Sequence, residues 1–198
     1  MLMPQKQNKH FNSYKEGLDL EFLRKYCMEH GELRQFVKGE TLEEAGEPAQ
    51  WVGFIVKGCF KYTVHNGVEG KNYITGFAFE NEFVGDYPNC LSNRISEVTI
   101  VATVPCVVYL ITGDKLNRLF NDNIEMKGLR QVVSDHLFSQ VYSQYLDHYR
   151  KTSRERYKDL LLRCPEIVQK ISLQDIASYL KVTPTTISTI RREITFGK

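Results

Sequence analysis

The sequence predicts an α+β fold in three successive parts: an N-terminal β-roll of the jelly-roll type, a long helix, and a C-terminal helix-turn-helix. Three observations predict this order. Short runs of alternating apolar residues occupy positions 36–111, apolar stripes at helical spacing follow them, and two helix-start signals stand close together near the end of the chain. We therefore place the domain boundaries at 1–112, 113–149 and 150–198.

The β-roll prediction depends on many short strands at close spacing. A short amphipathic helix is predicted before them, at 18–30, because apolar residues recur there at helical spacing. Asn66-Gly67 is the dipeptide most typical of a hairpin turn, and it separates two alternating runs. The predicted strand runs are 51–56, 60–64, 73–79, 98–104 and 107–111.

The long helix follows a short helix whose start is capped by residues 112–114. After Gly128, two neighbouring stripes together form a wide apolar face. The stripes are Leu129, Val133, Leu137 and Val141, and beside them Phe138, Tyr142, Tyr145 and Tyr149. Such a face packs either on the core of its own domain or on a second subunit, and the stripes alone do not separate these alternatives.

The last part carries the most specific pattern. Residues 172–175 form a capping box, which predicts that a helix begins at Leu173, and Thr183-Pro184 provides an N-cap followed by proline at the first helical position. Ala177 is the small residue at the predicted crossing of the two helices. Because hydroxyl and guanidinium groups suit base edges and phosphates, we predict DNA-binding residues on the second helix. They are Thr183, Thr185, Thr186, Ser188, Thr189, Arg191 and Arg192.

The charge distribution agrees with a polyanion partner. The chain has 26 basic and 24 acidic residues and a formal charge of +2. Residues 150–198 hold eleven basic and five acidic residues, so their net charge is +6 and that of the preceding residues is −4. Such an asymmetry is typical of a chain with one nucleic-acid-binding end, although a basic solvated face would show it as well.

Several classes of protein are excluded by pattern. The five cysteines are widely spaced and include no C-x-x-C pair, and the five histidines show no metal-ligand spacing, so we expect buried thiols and no metal site. No nucleophile–base pair stands at a recognisable spacing, so we expect no catalytic residues. The polar start of the chain lacks the apolar core of a secretory signal, and no apolar run is long enough to cross a bilayer. We expect a cytoplasmic protein with no membrane partner.

The chain resembles the bacterial Crp/Fnr superfamily of transcription regulators from about residue 18 to its end. The resemblance is carried by F-x-K-G-E-x-L at 36–42, F-I-x-x-G at 54–58, N-E-F-V-G-D at 81–86, the long helix, and the segment at 171–188. It implies a β-roll that is similar to cyclic nucleotide-binding domains, a dimerisation helix and a winged helix-turn-helix. It also implies a homodimer that binds double-stranded DNA, with RNA polymerase as an expected partner and basic residues of 150–170 on phosphates.

The chain departs from the family pattern at the effector pocket. Family members that bind cyclic nucleotides use a Gly-Glu pair and an Arg-Ser/Ala pair, and in this chain Gly85-Asp86 and Ser96-Glu97 stand at those places. A carboxylate repels the phosphate that a guanidinium would pair, and Arg94 compensates only if the loop is shifted. We therefore do not expect cyclic AMP as the ligand, and we identify no cofactor.

Two further departures concern the DNA-binding end. Lys181 stands where many helix-turn-helix motifs place glycine, and a positive φ at this position would cost about 1 kcal/mol without preventing the turn. Because the sequence ends at residues 196–198, we expect little or no wing.

Three functions remain open from the sequence. The leading hypothesis is a homodimeric regulator whose β-roll senses an unknown small-molecule effector. The alternative is a constitutive DNA-binding dimer whose β-roll serves protein contacts only. The third, an enzyme with a jelly-roll active site, requires a ligand cluster or a nucleophile–base pair that the sequence does not show.

Overall fold

The structure is a computed structural model that describes residues 11–196. The chain divides into two compact units, which we describe separately. Residues 15–136 form the β-roll unit, and residues 11–14 together with 137–196 form the helical unit. The division falls inside the long helix, and a short N-terminal segment belongs with the C-terminal helices. The expectation about the wing rests partly on residues 197–198, which lie outside the described residues.

The β-roll unit contains two four-stranded antiparallel sheets, with strand orders β1-β8-β3-β6 and β2-β7-β4-β5. The strands are β1 (Glu32–Phe36), β2 (Thr41–Glu43), β3 (Trp51–Lys57), β4 (Cys59–Asn66), β5 (Lys71–Phe79), β6 (Phe83–Val84), β7 (Thr99–Ala102) and β8 (Cys106–Thr112). The predicted β-roll is confirmed, because consecutive antiparallel strands are divided between two facing sheets.

The β4–β5 hairpin occurs where Asn66-Gly67 predicted one, but its connection is longer than a two-residue turn. Asn66 pairs with Lys71, which leaves residues 67–70 in the loop. The side-chain oxygen Oδ1 of Asn66 accepts hydrogen bonds from the backbone N–H groups of Val68 and Glu69, at 3.0 and 3.2 Å. The asparagine therefore acts as a side-chain mimic of a backbone turn.

The core of the β-roll unit combines residues from both sheets. Phe36 of one sheet and Phe60 of the other meet edge to face, with ring centroids 5.4 Å apart. Ile55, Ile100 and Val108 are fully buried around them. Buried and half-buried residues alternate along β7 and the start of β8, as a period of two requires, whereas positions 52–55 of β3 are buried without alternation.

Three helices flank or leave the β-roll: α1 (Glu21–His30), α2 (Gly113–Asn121) and α3 (Ile124–Arg150). Helix α1 begins three residues later than the predicted start at 18, and Phe22 of its apolar stripe is 49% exposed, so that Leu23 and Cys27 form the buried face. Thr112 caps α2 by accepting a hydrogen bond from the N–H of Lys115 at 3.2 Å, as predicted.

The helical unit continues with α4 (Ser153–Arg163), α5 (Ile167–Lys170), α6 (Leu173–Tyr179) and α7 (Pro184–Phe196). A reciprocal capping box of Thr152 and Glu155 begins α4. Tyr157, Leu160 and Ile167 form the buried centre of this unit together with residues of α6 and α7.

The structure also shows the state of the cysteine thiols and bears on the predictions about metal sites and membrane spans. All five cysteines are buried, and none forms a disulfide. Within residues 11–196, no cluster of three or more His, Cys, Asp and Glu side chains is placed to hold a metal ion. Among the helices described, none is both long and apolar enough to cross a membrane.

Candidate nucleic-acid interface and effector pocket

Helices α6 and α7 are joined by the short turn that the sequence predicts. Ser172 begins α6 by accepting a hydrogen bond from the N–H of Asp175 at 3.0 Å. The turn closes where the N–H of Val182 donates to the carbonyl oxygen of Ala177 at 3.0 Å. Lys181 adopts φ +53°, the left-handed conformation expected at the usual glycine position. The side chain of Ala177 is only 1% exposed, which allows the two helices to approach closely.

Helix α7 has one buried and one exposed face. Ile187 and Ile190 point into the core of the helical unit and are nearly inaccessible. Thr183 begins the helix as predicted, because its side-chain oxygen accepts a hydrogen bond from the N–H of Thr186 at 3.1 Å. The buried isoleucines and the cap therefore fix which side chains of α7 face water.

The structure places most of the seven predicted DNA-binding residues on the exposed face. Thr186 and Thr189 are half-buried, and the hydroxyls of Thr183 and Thr186 lie 2.9 Å apart. Ser188 donates its hydroxyl proton to the carbonyl oxygen of Pro184 at 3.0 Å, so it keeps acceptor capacity only. The exposed members are Thr183, Thr185, Ser188, Arg191 and Arg192.

Several cations near the end of α3 have acidic partners. Lys151 contacts Asp147 at 3.0 Å and Asp159 at 2.7 Å, and Arg150 contacts Asp147 at 2.6 Å. The hydrogen bond to Asp159 is the main reason why the pKa of Lys151 is raised. The predicted phosphate contacts from 150–170 are thus partly offset by local ion pairs.

A histidine lies between cations in the same region. His148 contacts the guanidinium of Arg156 through Nδ1. Partial burial lowers the pKa of His148, and the charges of Arg156 and Lys181 lower it further. The imidazole therefore favours the neutral state, in which Nδ1 accepts a hydrogen bond from the guanidinium.

The N-terminal segment 11–14 packs into the helical unit. Phe11 is 2% exposed, its ring centroid lies 5.4 Å from that of Tyr179, and the guanidinium of Arg163 lies 4.9 Å from the same phenyl ring. The side chain of Gln140 accepts a hydrogen bond from the N–H of Tyr14 at 3.0 Å and donates one to Asn12 at 3.0 Å. This segment thus supports α3 and α6 within the unit.

The apolar stripes of α3 differ between its two halves. In the β-roll unit, Val133 is buried and Leu129 packs against the core. In the helical unit, an aromatic series is exposed: Phe138 and Tyr142 stack at 5.8 Å, and Tyr145 and Tyr149 meet at 5.1 Å. The exposed fractions of Phe138 and Tyr149 reach 69% and 74%. Intrachain packing therefore explains only the first half of the stripes.

The residues predicted for the effector pocket lie in one loop, between β6 and β7, and several polar groups of this loop form hydrogen bonds with one another. The oxygen Oδ2 of Asp86 lies 2.9 Å from Ser96 Oγ, and it accepts hydrogen bonds from the N–H of Glu97 at 3.2 Å and from the side-chain amide of Asn89 at 3.1 Å. Ser96 is 2% exposed, whereas Arg94 points into solvent. The structure thus brings Asp86, Ser96 and Glu97 together and leaves the Arg94 side chain outside this group.

Gly85 holds the start of this loop against β3. Its φ is +155°, and a Cβ at this position would lie 2.5 Å from the carbonyl oxygen of Trp51. The N–H of Gly85 donates to the hydroxyl oxygen of Tyr62 at 3.3 Å. Glycine is therefore required by the close approach of backbone as much as by conformation.

Sequence reasoning missed two polar residues beside this loop. Tyr62 is half-buried, and the burial of its hydroxyl raises its pKa. Glu43 is 5% exposed and accepts hydrogen bonds from the N–H groups of Gln50 and Trp51, at 2.9 and 2.6 Å. Burial raises the pKa of Glu43, and the charge of Asp86 raises it further. Tyr62 was visible in the sequence only as a member of an alternating strand, and Glu43 had no local signal.

The comparisons with known proteins agree with this architecture. The cyclic nucleotide-binding domain family matches residues 33–123. Among curated protein sequences, none matches the chain. Solved structures do, and FixK2 from Bradyrhizobium japonicum superposes with a TM-score of 0.71 at 20% identity, over 84% of this chain and 86% of that one.

Two further structures show the same fold. The c-di-GMP-responsive global regulator CLP of Xanthomonas campestris has a TM-score of 0.65 at 14% identity, over 90% of this chain and 93% of its own. A protein assigned to the Crp/Fnr family of transcriptional regulators, from Eubacterium rectale, has a TM-score of 0.67 at 16% identity, over 94% of this chain and 88% of its own. The resemblance to the Crp/Fnr superfamily is confirmed at the level of the fold.

Proposed function

We propose that this chain, which contains a cyclic nucleotide-binding domain and has the fold of the Crp/Fnr regulators, is a homodimeric, cytoplasmic, DNA-binding transcription regulator and not an enzyme. The observation that carries the proposal is the exposed face of α7. Its hydroxyls and the two guanidinium groups of Arg191 and Arg192 face water, while Ile187 and Ile190 fix the opposite side in the core. Such a helix end presents donors and acceptors that match the major groove.

The homodimer is supported by the aromatic series on α3. Exposed Phe138, Val141, Tyr142, Tyr145 and Tyr149 recur at helical spacing, and a contiguous apolar strip of this kind marks an interaction surface. A second copy offers the same strip, so two helices can pair about a two-fold axis. Two recognition helices then reach successive major grooves, which lie about 34–36 Å apart.

Cyclic AMP is not part of the proposal. The Asp86 carboxylate already lies against Ser96 and the N–H of Glu97, and the exposed carboxylate of Glu97 adds another negative charge beside them. A cyclic phosphate would meet this charge without a guanidinium partner. Either a different effector acts on the β-roll, or the β-roll serves protein contacts only, with RNA polymerase as the expected partner.

DNA binding is tested first with duplexes of random sequence. We expect fluorescence anisotropy to show binding at low salt, with log Kd depending linearly on log salt concentration. Because each cation that contacts a phosphate releases about one counterion, R191A/R192A should weaken binding about tenfold or more and lower the slope of log Kd against log salt concentration by about two, at unchanged thermal stability. The control R118A/K127A removes two exposed cations from the β-roll unit and should leave the affinity within about twofold. Absence of binding at low salt contradicts the proposal.

The dimer is tested by sedimentation velocity. V141E/Y145E places two carboxylates on the exposed apolar strip and should shift the protein toward the monomer. S143E is the matched control, because Ser143 is exposed and lies on the opposite side of the same helical turns. A monomeric wild-type protein, or equal effects of both variants, contradicts a dimer through this strip.

A further inference from the structure

The loop between β6 and β7 contains three hydrogen-bond donors that converge on one oxygen atom. They are the hydroxyl of Ser96, the backbone N–H of Glu97 and the side-chain amide of Asn89, and each lies 2.9–3.2 Å from Asp86 Oδ2. A hydroxyl, a backbone N–H and a side-chain amide that point at one place form the kind of donor set that binds anions in proteins. The loop therefore has the parts of an anion site.

We propose that the carboxylate of Asp86 is a resident anion, which fills this site and closes it to an anion from solution. Ser96 supports this, because its hydroxyl is 2% exposed and has a single proton to donate. That proton is shared between Asp86 at 2.9 Å and the carbonyl oxygen of Val98 at 2.8 Å, so none remains for an external ligand. The proposal deepens the proposed function, since it concerns the regulation of the same β-roll.

The electrostatic surroundings define which anion could replace the side chain. Glu43 is buried near Asp86, and Glu97 supplies an exposed carboxylate. A monoanion would restore the charge that Asp86 carries, whereas a dianion would add one more negative charge beside Glu43 and Glu97. The vacated site should therefore accept acetate better than inorganic phosphate.

The experiment is chemical rescue of D86A. We expect D86A to unfold at a lower temperature than the wild-type protein, and we expect acetate to raise its Tm in a saturable manner at constant ionic strength. Inorganic phosphate should raise the Tm less, and the wild-type protein should show no saturable response to either anion. E80A, which removes an exposed carboxylate from the same unit, should behave like the wild type.

A second variant isolates the donors. In S96A/D86A the hydroxyl is absent, so we expect acetate to lose at least part of its effect. Equal rescue with and without Ser96, or a folded D86A that acetate does not stabilise, would overturn the proposal. If D86A does not fold, D86S is titrated instead, because its shorter side chain vacates the carboxylate position while keeping a polar group.

The readout separates this inference from the proposed function. Thermal unfolding is measured on the full chain without DNA, and the salt-dependent DNA affinity of the wild type is measured independently. Rescue without DNA binding would contradict the regulator and support the resident anion. DNA binding without rescue would do the reverse.

Discussion

The α7 face and the β6–β7 loop use similar donor groups in opposite ways. On α7, Thr185, Arg191 and Arg192 present hydroxyl and guanidinium groups to water. In the loop, Ser96 and the N–H of Glu97 direct theirs at the carboxylate of Asp86. Donors that face water are available to a partner, whereas donors bound internally contribute to the stability of their own unit. Similar donor groups therefore predict affinity for a partner on α7 and stability of the β-roll unit in the β6–β7 loop.

The largest expected effect concerns the N-terminal segment that supports the helical unit. Phe11 is buried against Tyr179 and Arg163, so F11A removes a packed phenyl ring and should cost the unit about 3 kcal/mol. Hydrogen exchange of the α6 amides measures this loss. DNA binding should weaken only to the extent that the helical unit unfolds, unlike R191A/R192A, which should weaken binding with no loss of stability.

F22A is the control for the phenyl group. Phe22 is 49% exposed in the β-roll unit, and its removal should leave α6 exchange unchanged. Equal exchange in F11A and in the wild type would show that residues 11–14 do not support α6.

A smaller effect is expected from removing single hydroxyl groups, and it should differ between Ser96, which is bonded within its unit, and Thr185, which faces water. S96A leaves an oxygen of the partly buried Asp86 with one donor fewer, and should destabilise the β-roll unit by about 1–2 kcal/mol. T185A removes an exposed hydroxyl from α7 and should change stability by less than about 0.5 kcal/mol. Fluorescence of Trp51, which is the only tryptophan, reports urea unfolding of the β-roll unit.

DNA binding should respond in the opposite order to these two variants. T185A should weaken binding, and S96A should leave it unchanged at temperatures where the unit is folded. A stability loss in T185A as large as that in S96A would contradict the distinction between the two regions.

How much the sequence predicts depends on whether a feature is local. The turn between α6 and α7 was predicted to the residue, because Ser172 and Thr183 act on N–H groups three residues away. The contacts of Phe11 were not predicted, because Arg163 and Tyr179 follow it by more than 150 residues along the chain and share no periodicity with it. Helix propensity and capping depend on residues that are close in sequence, whereas the contacts of Phe11 depend on tertiary packing.

The effector loop is intermediate between these cases. Family resemblance placed Asp86 and Ser96 in one pocket, ten residues apart, and the carboxylate of Glu97 at the place of the family's arginine pair argued against a phosphate ligand. The sequence did not predict that the Asp86 carboxylate accepts the hydrogen bonds of these donors, because this depends on the path of the loop, which also brings the side-chain amide of Asn89 to the carboxylate. The sequence therefore predicted which residues form the loop, whereas the direction of their hydrogen bonds could be seen only in the structure.

A third prediction concerns the turn that presents α7. Lys181 adopts φ +53°, which costs a residue with a Cβ about 1 kcal/mol, so K181G should stabilise the helical unit by up to about 1 kcal/mol. K181A removes the same charge but keeps the strain, and it should give no such gain. Hydrogen exchange of α7 measures both variants. Equal stability of K181G and K181A would show that the turn is not strained at this residue.

The smallest effect is a pH dependence confined to the inward-facing region. Burial raises the pKa of Glu43, with a further contribution from the charge of Asp86. A carboxyl whose pKa is higher in the folded than in the unfolded state stabilises the folded state at low pH. This stabilisation is fully present below the ordinary pKa of the carboxyl, about 4.5, and is lost as the pH rises through the pKa of the folded state. E43Q keeps an acceptor for the N–H groups of Gln50 and Trp51 but does not titrate. We therefore expect the wild type to lose stability relative to E43Q as pH rises above about 4.5, measured by Trp51 fluorescence in urea, while E80Q at an exposed site follows the wild type. A difference between wild type and E43Q that is independent of pH would mean that Glu43 titrates alike in the folded and unfolded states.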